Sequence, residues 1–215
     1  SAIVNYRMNS KSESVEYLVM VTENGLIKKT SLKDFENIRR TGIIAIQLKK
    51  GDLLKWVGVS TGHDEVILAT RNGQSIRFKE SKIRSMGRGA SGVLAIKFKN
   101  DKVAGFDIIR KDEKAQETKL LVVMENGFAK QTPLREYKIQ NRGGSGIKTA
   151  NITKKTGLIV ASKVFGEQNE IFALSAKGQV IRTELKGVRV TGRAAQGVRI
   201  MNLKAGDRLA GIVVI

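Results

Sequence analysis

Three arginines, Arg88, Arg142 and Arg193, each stand four residues ahead of a glycine, at Gly92, Gly146 and Gly197. Arg39 and Arg40 occupy a shorter version of the same segment before Gly42. A guanidinium group is a planar fork of donors that matches phosphate oxygens, so arginines repeated at one spacing point to a polyanionic ligand. Further cations fall in the same stretches: Lys28 and Lys29; Arg77, Lys79, Lys82 and Arg84; Lys130, Arg135 and Lys138; Arg182, Lys186 and Arg189. Nucleophilic and metal chemistry has far less to build on. His63 is the only histidine, in the connector STGHDE, and Asp64 and Glu65 beside it form a single acidic pair that helps to end that connector. Cysteine is absent, so neither a disulfide nor a thiolate metal site can form. Tyr6, Tyr17 and Tyr137 lie in strand or loop contexts that give no nucleophile, and Trp56, the sole tryptophan, sits in the strand-like run LLKWVGV, where core packing is its expected role. No catalytic residue, metal or cofactor is expected.

The cations are carried by a unit that occurs four times, over residues 17–60, 65–109, 120–165 and 170–215. Each unit opens with an apolar run and a glycine turn: YLVMVTENGLIKKT, EVILATRNGQSIRF, LLVVMENGFAKQT and EIFALSAKGQVIRT. Asn-Gly in three turns and Lys-Gly in the fourth predict two-residue hairpins of type I′. Roughly twenty residues after the turn glycine comes the second glycine, read as a positive-φ or close-approach position, and then an alternating strand such as GVLAIKFK or GVRIMNL. A period near fifty residues with about four strands per unit predicts an all-β, propeller-like ring of four-stranded antiparallel blades. We expect one such domain over 1–215. Residues 1–16, which include AIVNYRM and no initiator Met, are expected to be a remnant of a preceding blade or a linker.

Charge belongs to the repeat. The chain has 39 Lys and Arg against 20 Asp and Glu, a net +19, of which the four units hold about +4, +5, +6 and +5. Edge lysines that discourage strand pairing account for part of this excess. Recurrence at matching places with few acids predicts a cationic belt around the rim. No basic amphipathic helix is present, and only 5% of residues are aromatic, without the clustered platform that single-strand readers use. Duplex phosphate is the partner that fits; a propeller serving as a protein-interaction scaffold is the alternative, and it would need an unusually acidic partner.

In the segments IRRTGIIAIQL, MGRGASGVLAIKF, QNRGGSGIK and TGRAAQGVRIMNL, following the ENG and RNG hairpins, the chain resembles the C-terminal domain of the A-type subunit of bacterial DNA gyrase. The resemblance runs from Tyr17 to Ile215, and the order of motifs looks like the last four of the six blades usual in that family. It implies a β-pinwheel whose blades exchange strands, a basic perimeter that wraps double-stranded DNA, and a noncatalytic role in an ATP-dependent type II topoisomerase that supercoils DNA negatively. The implied partners are the N-terminal part of the same polypeptide, as a homodimer, and the ATPase component, the gyrase B protein, in the bacterial cytoplasm at the nucleoid and away from membranes. The A-type subunit of topoisomerase IV (ParC) has the same architecture and is the alternative relative. Gln140, Asn141, Arg142, Gly143, Gly144, Ser145 and Gly146 resemble the family's Gln-Arg-Arg-Gly-Gly-Lys-Gly box, departing at Asn141 and Ser145, as a degenerate box-like loop of a later blade.

Overall fold

The computed structural model describes residues 16–37, 40–111, 118–168 and 170–215. The strands are, in the first repeat, β1 (Tyr17–Thr22), β2 (Leu26–Ser31) and β3 (Leu54–Ser60); in the second, β4 (Glu65–Thr70), β5 (Gln74–Lys79), β6 (Val93–Leu94) and β7 (Val103–Ile109). The third has β8 (Lys119–Met124), β9 (Phe128–Pro133), β10 (Ile147–Lys148) and β11 (Ile159–Phe165), and the fourth β12 (Glu170–Ser175), β13 (Val180–Glu184), β14 (Val198–Arg199) and β15 (Leu209–Val214). They form antiparallel sheets in the orders β3-β1-β2-β6, β10-β5-β4-β7, β11-β8-β9-β14 and β13-β12-β15. Each of the first three blades therefore takes its outermost strand from the repeat that follows. The inner strands β3, β7, β11 and β15 all line one central cavity of about 670 Å³.

All four hairpins form where the turn glycines predict them, but the turn is not type I′. Gly25, Gly73, Gly127 and Gly178 have positive φ, whereas the residue before each does not. The amide of Gly25 donates to the Thr22 carbonyl at 3.1 Å, and the other three glycines repeat that bond. This is a three-residue loop, a type I turn closed by a left-handed glycine, which suits the strand twist as well as type I′ does. Asn24 is held by its amide, which donates to Asp52 Oδ1 at 3.0 Å, rather than by a left-handed conformation.

Strands β1, β4 and β8 carry unbroken apolar runs with four or five consecutive residues buried, and for β4 and β8 the cause is a described blade packed on each face. Strand β12 alternates instead, leaving Leu174 exposed, since blade 4 has a described neighbour on one side only. The seams between blades are periodic. Lys29 Nζ pairs with Glu80 at 3.2 Å, Arg77 Nη1 donates to the carbonyls of Leu134 and Tyr137 at 2.9 and 3.2 Å, and Gln131 Nε2 donates to the Leu185 carbonyl. One position after the hairpin thus reaches the 3-10 turn of the next repeat each time.

The expected strand after the second glycine is cut short. GVLAIKFK alternates over eight residues, yet only Val93 and Leu94 pair, with Ile27 and Leu26. Beyond them the Ala95 amide donates to the Gly25 carbonyl and the Lys97 amide to that of Gly144, so the chain leaves the ladder to pass under a turn. The remaining alternation reports burial of Ala95 and Ile96, not pairing. The second glycines have the predicted cause. Gly92, Gly146 and Gly197 have φ of +93°, +75° and +82°, and a Cβ there would stand no more than 2.6 Å from the carbonyl oxygens of Ile27, Ser75 and Ala129 on the preceding hairpin. Gly42 has φ +78° and nothing within 4 Å. Gly197→Ala is therefore expected to cost clearly more stability than Gly42→Ala, which meets only the left-handed penalty of about 1–2 kcal/mol. Equal losses in urea melts of the two variants would rule out the strand-exchange contact as the reason for the glycine.

Candidate nucleic-acid interface

The segment between hairpin and exchanged strand begins with a 3-10 turn and then runs parallel to the second hairpin strand of the previous blade. Bridges Lys29 to Ser85, Arg77 to Ile139 and Gln131 to Val190 fix that course. The residue before each bridge is a cation, Arg84, Lys138 and Arg189, exposed and without a side-chain hydrogen bond or ion pair among the described residues. Four residues on stand Arg88, Arg142 and Arg193. Each of these three loops thus carries two cations beside the second hairpin strand, away from the inner strands that line the cavity.

The arginines are oriented by backbone. Arg142 Nε donates to the Lys82 carbonyl at 3.0 Å and Nη1 to the Leu94 carbonyl at 3.2 Å. Arg193 Nη1 donates to the Lys148 carbonyl at 3.0 Å. Both acceptors, Leu94 and Lys148, end the exchanged strand of the preceding repeat. Carbonyls hold these guanidinium groups without neutralising them, and some donors remain for a ligand. Arg40, Lys79, Lys82 and Arg135 are exposed as well, and Arg39 lies outside the described residues. The box-like loop Gln140, Asn141, Arg142, Gly143, Gly144, Ser145 and Gly146 crosses blade 2 on the same side, fastened by the Gln140 amide to the Arg77 carbonyl at 2.7 Å and the Gly143 amide to the Ala95 carbonyl at 2.6 Å.

Other predicted phosphate ligands are not available. Lys28 and Lys130 are fully buried, Lys29 pairs with buried Glu80, and Arg77 binds Glu65 at 2.6 Å besides its two carbonyls. These four are corrected from surface cations to internal ones. They occupy the hairpin strand that the next loop covers, a relation between blades that runs of basic residues do not reveal. Arg182 and Lys186 are exposed but paired, with Glu170 at 2.6 Å and Glu184 at 2.5 Å, and the Glu184 hydrogen bond raises the Lys186 ammonium pKa. Sequence reasoning passed over Lys148 and Arg199, exposed at matching places on β10 and β14, with the Arg199 guanidinium 5.1 Å from the Phe128 ring centre. Their shared position two residues after the second glycine was the signal.

His63 is an exposed connector residue, and Asp64 beside it closes the connector by accepting from the Thr61 amide at 2.8 Å and Arg110 Nη1 at 3.2 Å. Tyr137 is buried with its hydroxyl 2.7 Å from Thr149 Oγ1, and burial pushes that phenol's pKa up. Trp56 packs against the core cluster of blades 1 and 2 and lines the cavity. Among the described residues no three His, Asp or Glu side chains gather as metal ligands.

Repeated blades around a cavity, an outer strand passed between neighbours and a loop carrying free cations on the outer side define a strand-exchanging β-propeller with a basic rim. The family model described as DNA gyrase C-terminal domain, beta-propeller, matches residues 16–61, 64–110, 119–165 and 169–215, and the chain belongs to that family. It is 41% identical to the DNA gyrase A protein of Mycolicibacterium smegmatis over 93% of this chain and 24% of that protein. Against the DNA gyrase A protein of Staphylococcus epidermidis it is 40% identical over 89% of this chain and 21% of that one, so it spans about a quarter of these relatives. A solved DNA gyrase A C-terminal domain superposes with a TM-score of 0.82 at 26% identity, covering 96% of this chain and 68% of that one. The C-terminal domain of a DNA topoisomerase IV superposes with a TM-score of 0.87 at 23% identity, covering 96% and 64%, a likeness of fold.

Proposed function

We propose that this chain binds duplex DNA through its phosphates, without sequence preference, and bends or wraps it along the basic rim. The observation that carries the reading is a pair of cations, ion-paired to no acid among the described residues, at one position in three successive loops: Arg84 and Arg88, Lys138 and Arg142, Arg189 and Arg193. Cations against phosphate release condensed counterions, which gives affinity without sequence information. Bending 20 to 30 base pairs by 40 to 90° costs on the order of 1–6 kcal/mol, which a few added phosphate contacts offset. In the parent protein the domain, itself noncatalytic, would present one DNA segment to the strand-passage gate with fixed handedness and so favour negative supercoiling by an ATP-dependent type II topoisomerase. Its partners there would be the rest of its own polypeptide, as a homodimer, and the ATPase component, in the cytoplasm at the nucleoid.

Closing nicked circles with ligase in the presence of the protein tests this. The topoisomer distribution of the products should shift in proportion to protein added, while circles closed beforehand keep their linking number. Unshifted products at saturating binding would sink the wrapping half of the proposal. A changed linking number in closed circles would reveal a strand-passage activity instead.

A further inference from the structure

Of the four internal cations, Lys29 and Arg77 pair with carboxylates and two are left to account for. Lys28 on β2 and Lys130 on β9 stand at the same place after their turn glycines, and both are fully buried. Lys130 Nζ donates to the carbonyls of Thr149 at 2.7 Å, Gly192 at 2.8 Å and Arg193 at 2.5 Å. Lys28 Nζ donates to the carbonyls of Ala45 at 2.7 Å and Arg88 at 2.5 Å. Neither makes an ion pair among the described residues. Each joins the segment that follows the second glycine of its own repeat to the arginine loop of the next. Repeats 2 and 4 carry Ile76 and Ile181 at this position, and Ile76 is buried under the box-like loop, with Cδ1 3.9 Å from where a Cβ of Gly144 would be. A blade can therefore be built with isoleucine here, and the lysine answers a different need.

We propose that Lys28 and Lys130 are positioning residues that hold the Arg88 and Arg193 loops in the conformation that offers their guanidinium groups to DNA phosphate, a proposal that rests on the duplex-binding reading above. Arg193 is fixed at three points. Its amide donates to Glu136 Oε2 at 3.3 Å, its carbonyl accepts from Lys130 and its guanidinium donates to the Lys148 carbonyl. A loop ordered beforehand loses less entropy when it binds. An ammonium group has three donors, one for each carbonyl around Lys130, whereas the neutral amine has two.

The site has a pH signature. Burial pulls the Lys130 pKa down to about 8, the Arg193 guanidinium acts the same way and Glu136 opposes both. Lys28 is lowered by burial too, with Asp34 opposing and Arg88 adding. Tyr137 contacts Thr149 on the far side of Lys130, and its own pKa is raised, so it stays neutral in this range. Because the folded value of Lys130 lies below the unfolded 10.5, the unfolded chain holds more protons between about pH 8 and 10.5, and this group's contribution to fold stability rises through that window. Loop order falls in the same window as the third donor is lost. DNA affinity and the stability term from this lysine are thus predicted to move in opposite directions.

The test uses the full chain and its Lys28→Ile and Lys130→Ile variants, which copy the residue of repeats 2 and 4. Binding to a fluorescent 40-base-pair duplex is titrated at several salt concentrations and from pH 7 to 9.5, and amide hydrogen exchange over residues 191–197 is followed without DNA. Lys130→Ile should lower affinity roughly three- to tenfold at pH 7, the worth of a few oriented hydrogen bonds, with the salt slope unchanged. Its loop amides should exchange faster, and the decline in affinity that wild type shows above pH 8 should vanish. A slope reduced by about 0.9 would mean that Lys130 itself meets a phosphate and would overturn the proposal. Unchanged exchange would overturn it as well. If wild type failed to bind duplex, faster exchange in Lys130→Ile would still uphold the loop-holding role, and only the duplex reading would fall.

Discussion

Replacing Arg84, Lys138 and Arg189 together by Glu is expected to lower affinity for duplex DNA by about a thousandfold at 0.1 M salt. Each phosphate contact contributes about 0.9 of a released counterion, so at that concentration losing one costs close to a factor of eight, and three cost several hundredfold before repulsion from the new carboxylates. The slope of log K on log salt should shrink from about −5, the value for six contacts, to about −3. These side chains make no bond within the described protein, so the fold should melt unchanged. Reversal of Arg88, Arg142 and Arg193 should cost at least as much, with some loss of loop order, since Arg142 and Arg193 are also anchored to carbonyls. Reversal of Lys111, Lys114 and Lys119, in the connector RKDEKAQETK where acids dilute the charge, should cost far less. Equal losses from rim and connector would show that net charge governs binding and that the rim has no special place.

The hairpins were legible because a turn glycine and an apolar run are local signals, and all four occur where those signals stand. The turn type was misread because Asn-Gly suits two loops, and the choice between them depends on long-range partners such as Asp52 for the Asn24 amide. The strand after the second glycine was overextended for a related reason. Alternation records which side chains are buried, and Ala95 and Ile96 are buried beneath a turn rather than in a ladder. For the rim, loop position proved informative and composition less so. Arg84, Lys138 and Arg189 are free because they precede the residue that bridges to the neighbouring blade. Lys28, Lys130, Lys29 and Arg77 look equally basic in sequence but lie on the strand which that neighbour covers. Strand exchange decides between the two groups, and it joins residues more than fifty positions apart.

Glu80→Leu is expected to destabilise the protein by about 3–5 kcal/mol, a fall of roughly 10 °C in melting temperature for a chain of this size. Leucine fits the place by shape, since Leu134 and Leu185 fill it in repeats 3 and 4, both buried. What it cannot do is replace the carboxylate, which is wholly buried and accepts from Ser60 Oγ at 2.7 Å, the Gly62 amide at 3.1 Å and the Asp64 amide at 3.3 Å while pairing with Lys29 at 3.2 Å. Its loss strands a buried ammonium and two buried or half-buried amides, and the uncompensated charge is the largest of these costs. The seam between blades 3 and 4 shows a neutral solution, with Gln131 donating to the Leu185 carbonyl. Lys29→Gln combined with Glu80→Leu copies it and should recover at least half of the loss, so the double-mutant cycle should give a coupling of about 2 kcal/mol. Urea melts of the two single variants and the pair decide the matter, and simple additivity would show that no charge pair holds this seam. The recovered variant has a further use, because the seam sets how blade 1 sits against blade 2. If its stability returns but the linking-number shift per bound protein changes, the angle between these blades governs the curvature imposed on DNA; an unchanged shift would place that control in the loops.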